Sequence, residues 1–148
     1  MILLREPGER KQQKLAAICV DDDPYVLQML EIQLKDLFKN EDLLLELIMN
    51  PCETIQQIEY LQNSGYEIAF LISDYRMPHM SGYELIYAVK TKYPSINCIL
   101  LSGQADKFEV RELIHAEAIT SFITKPWKLQ DLQSAIGRIS TPKQKVLY

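Results

Sequence analysis

Ile68-Ala69-Phe70-Leu71-Ile72-Ser73-Asp74-Tyr75-Arg76-Met77-Pro78 decides how this chain is read. An apolar run of strand length, with no polar alternation, stops at a single carboxylate. Such a run fits a strand buried on both faces, the condition of a parallel sheet covered by helices. Pro78 has no N–H to give a neighbouring strand and biases Met77 away from helix, so pairing ends there. Asp74 is therefore expected at the carboxyl end of a central strand, the edge at which open α/β sheets bind their ligands. Taken alone, an Asp in that place serves equally well as the cap of the next helix. Its companions decide between the two.

Working outward, the same grammar repeats. Leu15 to Val20 is a short buried strand ended by Asp21-Asp22-Asp23-Pro24, with Asp23 as helix N-cap and Pro24 at the first helical position. Val26, Leu27, Leu30, Leu34 and Leu37 then give one apolar helical face. Leu43 to Met49 predicts a second strand and Cys52 to Leu61 a second helix. Beyond Asp74 come a helix opened by Gly82, a strand over Ile96 to Leu101, and a helix from Asp106 to Ala116. A strand over Ser121 to Thr124 and a helix from Lys128 to Ile139 complete the series. Strand and helix alternate five times through short connections, which predicts one parallel sheet with helices on both faces. The expected division is a flexible extension over 1–14, one domain over 15–139, and a tail or linker over 140–148.

The 148 residues suit a single core, and the net charge of −4 disfavours a nucleic-acid backbone as partner. Three cysteines without a CxxC pair fit a reducing compartment. Cys19 and Cys98 fall inside apolar strands and are expected to be inert. No apolar run reaches membrane-spanning length and no signal-like segment follows the N-terminus, so the expected location is cytoplasmic, with no membrane contact.

A parallel sheet brings the strand ends to one edge: Asp21-Asp22, Asp74, Ser102 and Lys125-Pro126. Each has an ordinary reading, since DDDP caps helices and Lys-Pro stops strands, but each closes a different strand of one sheet. Three crowded carboxylates repel unless a cation sits among them, and an all-oxygen set suits Mg²⁺, with Mn²⁺ as an alternative. Lys125 supplies a positive charge and Ser102 a hydroxyl, both suited to a phosphoryl group. An Asp beside a metal and a Lys is arranged as a nucleophile that forms an acyl phosphate.

The set VDDDP (20–24), ISDYRMPHMSG (72–82), LSG (101–103) and TKPW (124–127) resembles the receiver domain of two-component response regulators, CheY-like in fold. The resemblance spans about residues 15 to 139. It implies a flavodoxin-like (βα)₅ doubly wound sheet of strand order 2-1-3-4-5. It implies transfer of a phosphoryl group from a histidine kinase or phosphotransfer protein onto Asp74. Metal ligation would fall to Asp22 and Asp74, to Asp21 mainly through water, and to Arg76 through its backbone carbonyl. Ser102 would hydrogen-bond the phosphoryl group, Lys125 would pair with it, and Phe122 would be the aromatic switch. Arg76 and Gln104 would flank the path of attacking water and tune the lifetime of the acyl phosphate. Gly82 matches the family's Gly where the loop turns into the next helix. Three positions depart: Ser102 where Thr is commoner, Phe122 where Tyr is frequent, and Trp127 where Phe is usual.

Rival readings fare worse. A phosphatase with an Asp nucleophile commonly carries a second Asp two residues on, where this chain has Arg76. A receiver-like module that is never phosphorylated is expected to lack one of Asp22, Asp74 and Lys125, and all are present. A flavin or nucleotide protein of this fold would show a Gly-rich loop after the first strand. The expectation is a phosphoacceptor and not a turnover enzyme, signalling through the face of the fourth helix, fifth strand and fifth helix to a downstream protein or attached output domain. Local phrasing, LSGQAD followed by SFITKPW, also looks like receivers within larger HD-GYP-linked regulators or hybrid sensors. His79 is expected to be solvated.

Overall fold

The computed structural model describes residues 2–5, 14–103, 107–139 and 144–147. In chain order the elements are β1 (Ile2–Arg5), β2 (Lys14–Val20), α1 (Pro24–Leu37), β3 (Leu43–Ile48), α2 (Thr54–Asn63) and β4 (Tyr66–Asp74). They continue with α3 (Gly82–Lys92), β5 (Cys98–Ser102), α4 (Lys107–His115), β6 (Ser121–Thr124), α5 (Leu129–Gly137) and β7 (Gln144–Leu147). The main sheet is parallel with order β3-β2-β4-β5-β6. Counting its own strands alone, that is 2-1-3-4-5, the doubly wound order expected of the sequence.

Helices cover both faces, which is why the strands read as unbroken apolar runs. Ala16, Ile18 and Val20 of β2 share one core with Ile58, Leu61, Leu85, Ile86, Val89, Val110 and Leu113 of α2, α3 and α4. Ala17 and Cys19 share the other with Leu27, Leu30 and Leu34 of α1 and Leu132, Ala135 and Ile136 of α5. In β4 the pairing with β2 skips one residue, Ala16 opposing Ile68 and Ala17 opposing Phe70. Ala69 is thus a bulge, and it resets which side chains face which core. Ala69, Phe70 and Ile72 accordingly lie together under α1 and α5, while Ile68 and Leu71 lie on the far side.

Helix starts follow their capping residues. Asp23 Oδ1 accepts the Tyr25 N–H at 2.9 Å with Pro24 at the first position. Ser81 and Glu84 form a reciprocal capping box on α3. Asn50-Pro51-Cys52, just ahead of the second helix, is a cap as well. Asn50 Oδ1 accepts the Cys52 N–H at 3.0 Å and starts a 3₁₀ turn, Pro51–Glu53, that leads into α2. The two ends of the chain hold a difference from the sequence reading, which placed a flexible extension and a tail there. Ile2–Arg5 and Gln144–Leu147 pair as an antiparallel two-stranded sheet, Ile2 opposite Leu147 and Arg5 opposite Gln144. Strings of four residues are too short to show a period, so only the pairing reveals them.

Candidate functional site

Parallel register delivers the acids to one edge. Val20 lies opposite Ser73, so Asp21 follows β2 beside Asp74 at the end of β4. Leu101 of β5 lies opposite Asp74, and Ser102 opposite Thr124 of β6, so Ser102 and Lys125 continue the same edge. Backbone bonds fix it: the Tyr75 N–H donates to Leu101 C=O and the Lys125 N–H to Ser102 C=O, each at 2.9 Å. The Lys125-Pro126 peptide bond is cis.

Lys125 Nζ stands 2.6 Å from Asp74 Oδ1 and 3.6 Å from Asp21 Oδ2. Asp21 and Asp74 are buried, at 1% and 6% exposure, whereas Asp22 is open to solvent. Asp21 Oδ1 accepts the Asp23 N–H at 2.8 Å, but Oδ2 is buried without a hydrogen bond. Burial pushes the Asp21 carboxyl up to about 6; the Asp23 N–H opposes that shift and the Asp74 charge adds to it. Asp74 is raised as well, by burial first and against the hydrogen bond from Lys125. For Lys125, burial alone would lower the ammonium pKa; the hydrogen bond and charge of Asp74, then Asp21, outweigh it and the net direction is up. The ammonium is held by acids that are themselves short of positive charge.

One oxygen from each of Asp21, Asp22 and Asp74 falls within 4.8 Å of the others. That all-carboxylate set, with an unsatisfied buried Oδ2, fits a hard divalent cation such as Mg²⁺, which takes few protein oxygens and keeps waters.

Gly82 sits against the site for a reason of space. A Cβ there would stand 2.2 Å from the Asp74 carbonyl oxygen, while the Gly82 N–H donates to Tyr75 C=O at 2.8 Å. The loop before it carries its strain at His79, exposed and at φ 72°.

Of the other residues named from sequence, Ser102 is buried at the strand end. Arg76 is exposed, with its guanidinium 6.0 Å from the Tyr75 ring centroid. Phe122 points outward at 42% exposure, on the rim of a groove of about 510 Å³ that also borders Ser102, Lys107, Arg111 and Ile114. Gln104 and Asp106 lie outside the described residues. Cys19 and Cys98 are buried thiols whose pKa burial pushes up to about 12, as expected of inert core cysteines. Sequence reasoning missed Ser73, whose Oγ donates to the Asp74 carbonyl at 2.9 Å; a Ser inside an apolar strand was the available signal. Trp127, noted from the sequence only as standing where Phe is usual, also has a polar partner. The indole is half-buried against the α1/α5 core, and its Nε1–H donates to Gln33 Oε1 at 2.7 Å.

The fold and the acidic edge together define a doubly wound α/β domain whose site lies at the carboxyl ends of its strands. The family described as response regulator receiver domain matches residues 17–137, and the chain belongs to that family. Sensor kinase CckA of Brucella abortus (strain 2308) is 30% identical over 82 residues, which is 55% of this chain and 9% of that protein. Fimbriae Z protein of Salmonella typhimurium (strain LT2) is 25% identical over 124 residues, 84% of this chain and 55% of that one. The chain thus matches about half or less of the length of these relatives. A response regulator receiver domain protein from Clostridium thermocellum superposes with a TM-score of 0.70 at 24% identity, covering 82% of this chain and 90% of that one; it bears on fold alone. Among the described residues no helix is long and apolar enough to cross a membrane.

Proposed function

We propose that this receiver domain takes a phosphoryl group onto Asp74 from a phosphohistidine of a histidine kinase or phosphotransfer protein. The observation that carries the reading is the Asp74 carboxylate held 2.6 Å from the Lys125 ammonium with Asp21 and Asp22 alongside. In the transfer an Asp74 carboxylate oxygen bonds to phosphorus as the bond from phosphorus to the donor's imidazole nitrogen breaks; the bond pair goes to that nitrogen, and the ring leaves as neutral imidazole because its other nitrogen carries a proton. Lys125 offsets the charge gained on the phosphoryl oxygens, and the Ser102 hydroxyl donates to one of them. A Mg²⁺ held by Asp21, Asp22, Asp74 and the Arg76 backbone carbonyl would supply further charge stabilisation to those oxygens. The domain itself acts as acceptor, with slow self-hydrolysis, and not as a turnover enzyme.

A donor protein has to reach this edge. Tyr25, Met29 and Ile32 of α1 are exposed on the side opposite the buried Leu27, Leu30 and Leu34, and they offer an apolar seat beside the acids. Signalling would follow from Ser102 moving toward the new phosphoryl group while Phe122 turns inward, reshaping the face of α4, β6 and α5. One charge-assisted hydrogen bond, about 1.5–3 kcal/mol, biases such an equilibrium without completing it. The output then lies in a separate protein or in an attached domain.

Incubation with acetyl phosphate and Mg²⁺ followed by intact mass tests the reading. One phosphoryl group is expected on the unmodified chain and none on Asp74→Asn; full labelling of that variant refutes the assignment.

A further inference from the structure

Lys125 reaches Asp74 and Asp21 from the connection between β6 and α5, Lys125-Pro126-Trp127-Lys128. Its backbone N–H groups are held at both ends: that of Lys125 donates to Ser102 C=O and that of Lys128 to the Asp131 side chain, Oδ2, at 2.8 Å. Between them Pro126 is exposed, and Trp127 is the side chain that turns inward, onto the core beneath α1 and α5. Its Nε1–H then reaches Gln33 Oε1 on the third turn of α1. That helix starts directly behind the acid pair, because the Asp23 that caps it also donates its N–H to Asp21. One hydrogen bond therefore joins the segment that bears the ammonium to the helix whose start bears the carboxylates.

We propose that Trp127 is a positioning residue for acyl-phosphate formation: by bonding Gln33 it fixes the β6–α5 connection against α1 and so sets where the Lys125 ammonium stands relative to Asp74 and Asp21. The proposal rests on Asp74 being the phosphoacceptor. A lysine carries its charge on a flexible four-carbon stem, so the backbone that bears it decides how well the charge is aimed. Reaction rates are sensitive to displacements well below the length of that stem. A Phe at 127 would fill the same apolar space but has no N–H, which makes the tie a property of this chain's Trp.

The full chain and its Trp127→Phe, Gln33→Met and doubly substituted forms are labelled with acetyl phosphate and Mg²⁺ over a range of donor concentrations. Each single change is expected to lower the limiting rate about five-fold, the factor one neutral hydrogen bond is worth. The double variant should be no slower than either, since both changes remove the same bond. Gln33→Glu, which keeps an acceptor oxygen, should label close to the unmodified rate. Because Trp127 is the single Trp of the chain, indole emission should change in Gln33→Met while far-ultraviolet circular dichroism does not. A purely structural role would lower melting temperature and leave the limiting rate alone, and that result overturns the proposal. So do single variants that label like the unmodified chain, or a double variant whose losses multiply. An unmodified chain that takes no label overturns the phosphoacceptor reading and this proposal together. Should Trp127→Phe not fold, Gln33→Met at its half-buried surface position decides alone.

Discussion

Replacing Gly82 by Ala sets two effects of opposite sign against each other. Gly82 is the first residue of α3, so propensity favours the substitution by something under about 1 kcal/mol. Space opposes it. The added Cβ would meet the Asp74 carbonyl oxygen at 2.2 Å and the Tyr75 Cα at 2.9 Å, both backbone atoms that cannot rotate aside. Reaching even 3.0 Å from the oxygen requires 0.8 Å of backbone movement, against a Gly82 N–H pinned to Tyr75 C=O at 2.8 Å. Overpacking of that kind costs about 1–3 kcal/mol, which exceeds the propensity gain. The expected net loss is about 1–2 kcal/mol in urea denaturation, with the slope unchanged. The movement falls on the peptide of Asp74, the proposed phosphoacceptor, so labelling by acetyl phosphate should slow by about ten-fold or more. A Gly82→Ala chain as stable as the unmodified one would refute the reasoning, because propensity would then have won.

In the metal-free protein the raised Asp21 carboxyl opposes folding once it is charged. Its folded value of about 6 lies above the ordinary carboxylate range, so the stability it contributes is full at low pH and is lost as pH rises through 6. That loss is on the order of 3 kcal/mol. Melting temperature without Mg²⁺ should fall from about pH 4 to pH 6.5, between the ordinary and the folded value, and millimolar Mg²⁺ should reverse the fall; a metal-free curve that rises over that window contradicts the assignment. Asp22→Ala should weaken Mg²⁺ binding in a titration while leaving the melting temperature nearly unchanged, since the side chain is solvent-exposed; an unaltered affinity removes Asp22 from the ligand set. Arg76→Ala should speed loss of the acyl phosphate several-fold by uncovering its oxygens, and a rate equal to the unmodified chain's would exclude Arg76 from that role.

What could be read from the sequence, and what could not, divides along a physical line. Asp21, Asp74, Ser102 and Lys125 each end an apolar run, and the parallel order of the strands does the rest. Three-dimensional proximity at the site is therefore a consequence of local signals repeated along the chain. The bulge at Ala69 leaves no such trace, because an unbroken apolar run looks the same whichever core each residue enters. Gly82 could be singled out, but its reason could not: the close approach to Asp74 exists only once β4 and α3 are placed. The Trp127–Gln33 bond is hidden more deeply, joining residues 94 positions apart whose separate readings, an aromatic after a strand stop and a polar residue on a helix, are both ordinary.

That division also says where this domain's individuality lies. The residues that hold and receive charge are set by strand ends and leave little freedom without losing the chemistry. The contacts that aim them, Ser73 on the Asp74 carbonyl and Trp127 on Gln33, come from side chains whose types the fold does not dictate. Rate and lifetime of the acyl phosphate can therefore differ between domains that share every residue of the acidic edge. In this chain a change at Gln33, on a helix turn away from the acids, should alter Lys125 more than a change at His79 a few residues from Asp74. His79 stands exposed in a loop, while Gln33 is bonded to the segment that carries the ammonium. Comparing labelling rates of Gln33→Met and His79→Ala tests that ordering directly, and equal effects would show that nearness in sequence, and not the tie through Trp127, governs the site.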